Sequence, residues 1–179
     1  MLTEILIVIA ILIVVFAVVV SLRPGEFKVT RSATIPAPPE AVFPHVNDLH
    51  NWDAWSPWAK LDPAMQSTFD GPAAGNGASM AWSGNNKVGQ GRMTITESRP
   101  HEFVQFRLEF FRPFKATNTA EFGFKAQGGQ TVVSWTMLGR NNFMAKAMQL
   151  FINCDKMVGS QFEQGLAQLS SVSSTPVHK

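Results

Sequence analysis

The stretch Glu102 to Phe111, "EFVQFRLEFF", alternates apolar and polar residues. Val104, Phe106, Leu108 and Phe110 share one parity, and Gln105, Arg107 and Glu109 the other. Successive side chains of an extended chain point to opposite faces, so this segment reads as a half-buried strand, one face in a core and one in water. Such a strand needs neighbours to pair with and something to cover its apolar face. Comparable patterns predict strands at Phe27 to Ile35, Met65 to Asp70, Ala78 to Ser83, Gly91 to Ser98, Lys115 to Ala126 and Thr131 to Leu138. The segments between them, among them "GPAAGNG", "SGNNKVG", "RPHE", "RPF" and "QGGQ", are short and rich in turn residues. That spacing favours antiparallel hairpins over crossover units.

The cover comes from the remaining segments. "PAPPEAVFPHVNDL" predicts a short helix introduced by clustered prolines and Glu40, and a second helical stretch holds Trp52 and Trp55 until Pro57 stops it. From Asn142 to about Ser171, Met144, Met148, Phe151, Val158, Phe162, Leu166 and Leu169 recur at three- and four-residue steps, which predicts one long amphipathic helix. "SSVSSTPVHK" reads as a frayed end, with a flexible tail over 173–179. The fold class is therefore α+β: a curved antiparallel sheet of about seven strands, two short helices after the first, and a long C-terminal helix across the concave face. A strongly curved sheet leaves space between itself and that helix, and such a space is where a ligand would sit.

The amino-terminal run "ILIVIAILIVVFAVVV", Ile5 to Val20, has no polar stripe. With Ser21 and Leu22 it reaches about 27 Å as a helix, close to the thickness of a bilayer core. A cleaved signal peptide would carry a basic stretch before the run and a small-residue cleavage site after it; here the leading charge is Glu4 and "SLRPGEF" offers no such site. The expectation is a retained single-pass helix over residues 1–22, with the membrane engaged by residues 5–22. A linker follows at 23–26, then a folded domain at 27–172. Arg23, Lys28 and Arg31 follow the span and no Lys or Arg precedes it, which by the positive-inside bias places the soluble domain in the cytoplasm.

Fifteen Lys and Arg against thirteen Asp and Glu give a net charge of +2, and the cations are scattered, so nucleic acid is not an expected partner. The one cysteine, Cys154, excludes an internal disulfide or a multi-thiolate metal site and fits an apolar helix position. No zinc motif or dinucleotide loop is present, and neither a metal nor a cofactor is expected. The densest titratable cluster is His45, Asp48, His50 and Asp53. His45 and His50, five residues apart, fall on different helix faces. For acid–base work the candidates are His45, His50 and Glu97, the last sharing the parity of Met93 and Ile95; no catalytic residue is assigned.

Strand parity selects the side chains that face inward. They are Met80 and Trp82, Met93 and Ile95, Phe106, Leu108 and Phe110, Ala120, Phe122 and Phe124, and Val133, Trp135 and Met137. Asn118 shares that parity, either as a polar handle in an apolar pocket or as a strand-end residue bonded to backbone or water. From the helix face come Met148, Phe151 and Phe162. The methionines suit either a pocket for varied apolar ligands or an ordinary core. In "HNWDAWSPW", Trp52 and Trp55 share a helix face while Trp58 leaves it after Pro57. Their rings either close a cavity mouth or clamp the short helices to the sheet. The candidate ligand-binding set is thus Trp52, Trp55, Met80, Trp82, Phe106, Leu108, Phe110, Asn118, Phe122, Trp135, Met137, Met148, Phe151 and Phe162. Arg31 falls on an apolar parity with Val29 and Ala33, as a bulge or an edge strand would allow.

The order of elements, with "RSATIPAPPEAVFPHVNDLHNWDAWSPW", "VGQGRMTITESRP" and the terminal amphipathic segment, resembles the START-like superfamily, also called Bet v 1-like or SRPBCC. It is most similar to the branch of polyketide cyclases/dehydrases and lipid transport proteins, over about residues 27 to 172. The resemblance implies a helix-grip fold with a deep hydrophobic cavity, in which some members carry lipids or sterols and others are cyclases or hydratases. It carries no catalytic motif onto these positions. Three functions follow as expectations. The first is a membrane-anchored binding module holding a lipid or isoprenoid-like molecule between sheet and C-terminal helix. The second is a cyclase- or hydratase-type enzyme on an apolar substrate, and the third a protein-interaction scaffold with a filled core and a partner the sequence does not name.

Overall fold

In the computed structural model, residues 1–151 and 153–174 are described. The apolar run forms one helix, α1 (Leu2–Ser21), almost wholly exposed and long and apolar enough to cross a membrane. Its last turn meets the domain: Val20 is fully buried, and the backbone carbonyl of Ser21 accepts from Lys146 Nζ at 3.5 Å.

Seven strands follow: β1 (Glu26–Ile35), β2 (Gln66–Asp70), β3 (Ser79–Ser83), β4 (Gln90–Arg99), β5 (Phe103–Arg112), β6 (Ala116–Gln127) and β7 (Gln130–Arg140). All adjacent pairs are antiparallel, in the order β1-β7-β6-β5-β4-β3-β2. The chain returns from β1 to the far edge through α2 (Pro39–Asn47), a 3₁₀ turn at Leu49–Asn51 and α3 (Trp52–Trp55). These sit where proline clustering and the "WDAW" spacing predict them. This is the expected helix-grip arrangement.

The long terminal helix is corrected. Instead of one rod from Asn142 there are two helices, α4 (Phe143–Met148) and α5 (Cys154–Ser174). Each begins behind an asparagine whose side-chain oxygen accepts a first-turn amide: Asn142 from Ala145 at 2.8 Å and Asn153 from Lys156 at 2.9 Å. The apolar spacing runs on across the break, so periodicity alone does not reveal it. Residues 170–174, "SSVSS", continue α5; the rest of the expected tail, 175–179, lies outside the described residues.

Arg31 is explained by its position on the edge strand β1. Its guanidinium rises onto α5, with Nε 2.8 Å from Glu163 Oε1 and Nη2 2.9 Å from Asp155 Oδ2. A Cβ at Gly159 would lie 2.0 Å from Nη2, so the glycine opens the space this clamp occupies. Hydrogen bonding to Arg31 holds the Asp155 carboxyl below its ordinary pKa, and the same contacts raise that of Arg31.

Candidate functional site

A sheet of seven strands about 4.8 Å apart is roughly 29 Å wide, whereas a helix with its side chains covers about 10–12 Å. A single helix therefore covers one part of the concave face only. Here α5 lies over the β1 side and against α2 and α3. Phe162, Leu166 and Leu169 are buried in the core with Ile35, Val133 and Trp135. Phe162 stacks on Trp135 with ring centroids 4.1 Å apart and planes 7° from parallel. A Cβ at Gly165 would stand 2.7 Å from Trp135 Cζ3, so the helix approaches to backbone distance.

Over the β3–β5 side the cover is the segment after α3, and there the packing is open. A cavity of about 260 Å³ is bounded below by Met80, Trp82, Met93, Phe106, Leu108 and Phe110, with Ala120, Trp135 and Met137 towards the packed side. Trp52, Ser56, Trp58 and Met65 form its roof, and Lys87, Val88, Arg112 and Pro113 its rim. No α5 residue is among the wall residues. The expected position between sheet and C-terminal helix is thus corrected to one beside that helix.

The wall is apolar apart from three side chains. Ser56 is buried in the roof. Lys87 and Arg112 are its only charged side chains, both cationic and both exposed; Arg112 Nε donates to Gln90 Oε1 at 3.1 Å. The indole N–H groups of Trp52, Trp55 and Trp82 donate to the carbonyls of Val46, His45 and Val88 at 3.0, 2.9 and 3.1 Å. Trp135 Nε1 is different: it is buried and has no acceptor among the described residues. Cζ3 abuts α5 at Gly165 and Nε1 lies at the opposite end of the indole, so this donor points away from the helix, into the surrounding aromatic cluster. A buried donor without an acceptor costs about 1–3 kcal/mol. Gly91 makes a further allowance: a Cβ there would fall 2.5 Å from the Trp82 ring, so only glycine lets that ring lie flat against β4.

Of the residues picked out by sequence, Trp52, Met80, Trp82, Phe106, Leu108, Phe110, Trp135 and Met137 meet on this wall. Trp55, Phe122 and Phe162 do not: all three are fully buried in the core. Trp55 sits 5.6 Å from Trp135 and 6.0 Å from Phe122 in edge-on contacts, a clamp between α3 and the sheet. Asn118 is off the wall; its Nδ2 is 3.9 Å from Met137 Sδ, in the space left by Gly139 near the strand end. Met148 and Phe151 are solvent-exposed beside α1, because the helix that was to carry them inward ends at Met148.

Sequence reasoning missed Ser56, Trp58, Met65 and the rim. All but Arg112, the last residue of β5, lie in loops, where parity says nothing, although Trp58 was signalled by its three-residue step from Trp55. The acid–base candidates are also off the wall. Ring-stacked on Phe69 and 2.8 Å from Asp48 Oδ1, His50 is at a separate surface site. Burial lowers the His45 pKa, and its carbonyl caps Trp55. Glu97 is turned to the convex face by a register shift between Ile95 and Glu97: it pairs with Gln105, while Ser98 takes the inward place opposite Val104. No group of three or more His, Cys, Asp or Glu that would hold a metal is found among the described residues.

A family model described as "Polyketide cyclase / dehydrase and lipid transport" matches residues 26–173. No curated protein matches the chain in sequence. Solved structures do match. Protein CV1439 from Chromobacterium violaceum is similar with a TM-score of 0.60 at 15% identity, over 86% of this chain and 100% of that one. Ara h 8.0201 is similar with a TM-score of 0.55 at 14% identity, over 83% and 95%. The di-domain ARO/CYC BexL from the BE-7585A biosynthetic pathway is similar with a TM-score of 0.61 at 13% identity, over 88% of this chain and 53% of BexL. At these identities the likeness is one of fold.

Proposed function

The chain belongs to the polyketide cyclase / dehydrase and lipid transport family, and on that premise we propose that it is a membrane-tethered module that binds a hydrophobic small molecule, lipid or isoprenoid-like, in the cavity beside α5. The observation that carries this reading is the wall itself: an apolar enclosure with two cations at the rim. The ligand that suits it has an apolar body. Burying about 400 Å² of such a molecule at roughly 25 cal/mol per Å² contributes on the order of 10 kcal/mol before ordering costs. Tight retention needs no catalytic group. In this proposal α1 stays in the bilayer as an anchor, and the domain lies on the cytoplasmic side, as the cations after the span favour.

The test is native mass spectrometry with solvent extraction on the full chain purified from membranes. The expected result is one apolar molecule per chain. Full-length protein that carries no extractable molecule under any expression condition would overturn the reading.

A further inference from the structure

The strand registers place the cavity rim and the membrane helix at the same end of the sheet. Glu26 of β1 pairs with Arg140 of β7, Gly139 with Asn118 of β6, Ala116 with Phe110 of β5, Arg112 with Gln90 of β4, and Gln90 with Ser83 of β3. This row forms one edge of the domain, and three things leave from it. Helix α1 departs through Pro24 and Gly25, whose carbonyl accepts from Asn141 at 2.8 Å. Next to it α4 follows β7 and touches α1. The β3–β4 and β5–β6 turns carry the cavity rim, Lys87 and Val88 on one and Arg112 and Pro113 on the other.

That end also bears large apolar side chains that are exposed. Phe114, in the β5–β6 turn, is 61% exposed and Phe111 beside it 44%. Phe143, Met144 and Met148 of α4 and Phe151 just beyond are exposed as well, Phe151 at 82%. At 100° per residue Phe143, Met144 and Met148 fall within about 140° of one another, so they form one side of α4, and Phe151 follows in the turn after it. The charges between them are mainly cations: Arg23, Lys87, Arg112, Lys115 and Lys146, with Glu26 paired to Arg140 at 3.8 Å. Among the described residues, the opposite end of the sheet, with the "QGGQ" turn and the Arg99–Glu102 corner, combines no comparable exposed aromatic set with its charges.

Apolar rings interleaved with cations beside a membrane-crossing helix match the two layers of a bilayer surface, acyl boundary and anionic headgroups. We infer that this end of the domain docks on an anionic bilayer, with Phe114 and the apolar side of α4 in the interface and the cavity rim facing the lipid. The inference rests on α1 being a membrane tether and is independent of what the cavity holds. It gives the ligand a path from bilayer to cavity that does not cross bulk water.

The test uses the full chain in vesicles of phosphatidylcholine and phosphatidylglycerol. Single nitroxide labels are attached at Leu12→Cys, Phe114→Cys, Phe151→Cys and Gln127→Cys in a Cys154→Ser background. Accessibility to oxygen against a water-soluble paramagnetic complex then reports depth. The expected result is deep shielding at 12, interfacial shielding at 114 and 151, and full water exposure at 127. Labels at 114 and 151 as water-exposed as 127, with 12 still shielded, would overturn the docking and leave the tether standing. Exposure at 12 would remove both. In phosphatidylcholine alone, shielding at 114 and 151 falls several-fold; unchanged shielding would overturn the electrostatic part.

Discussion

The concave face of one sheet is finished in two ways. On the β1–β7 side α5 approaches to backbone distance, glycines at 159 and 165 admit Arg31 and Trp135, and the Phe162 ring stacks on Trp135. On the β3–β5 side the cover is an irregular segment and a cavity of about 260 Å³ remains. Both sides are apolar and both descend from the same alternating strands. What separates them is the width of a helix against that of a sheet, so the packed half supports stability and the open half is the one our proposal assigns to binding. Trp135 stands at the boundary, stacked on Phe162 by its face and presenting its N–H on the side away from α5.

This division predicts different responses to mutation. The largest effect is expected for Phe162→Ala, which leaves a void where the ring stacks on Trp135 and costs about 3–5 kcal/mol of stability by urea denaturation. A loss under about 1 kcal/mol would mean that the packed half is looser than its geometry implies. Gly165→Ala comes next. Its methyl meets Trp135 Cζ3 at 2.7 Å and Pro57 Cδ at 3.2 Å, and overpacking of this kind costs about 1–3 kcal/mol. In the open half, Leu108→Phe places extra volume in the cavity. It changes stability by less than about 1 kcal/mol and weakens ligand retention about tenfold, near 1.4 kcal/mol. Equal loss of stability at 108 and 165 would erase the contrast.

The strand pattern carried most of this architecture. Val104 and Phe106 lie inward as their parity requires, because a sheet with one wet face has no other place for them. Glu97 shows where parity stops being informative: one extra residue after Ile95 moves every later side chain to the other face, and nothing in "MTITESR" announces it. Met148 and Phe151 show the same limit for helices. Their spacing continues that of α5, and only Asn153, a capping residue ahead of Cys154, marks a new start. The rim residue Lys87 was beyond reach because turns have no periodicity, and Arg112, at the very end of β5, because charge on a strand end does not signal a cavity. The unsatisfied Trp135 donor depends on contacts several strands apart.

The smallest expected effect is a pH dependence. The folded-state pKa of His45 is pushed below 6.5 by burial, so the unfolded chain takes up the proton first. Stability is therefore full above about pH 6.5 and declines as pH falls from there towards the folded pKa. Thermal melts of the wild type and His45→Gln at descending pH should diverge in that window, the variant losing less. Parallel curves would place the histidine in water in both states. Asp155 acts in the same direction at lower pH: its carboxyl, held down by Arg31, contributes stability above its unfolded pKa of 3.8 that is lost as pH falls through the folded value.

The most direct test of the divided face is site-specific photocrosslinking in native membranes. A small diazirine-bearing amino acid replaces Met80 on the cavity wall in one full-length protein and Leu169 in the packed core in another. After irradiation, mass spectrometry of the intact chains is predicted to show an added apolar small molecule at position 80 and none at 169. Equal adducts at both positions, or crosslinks to the chain's own residues alone at 80, would contradict the account.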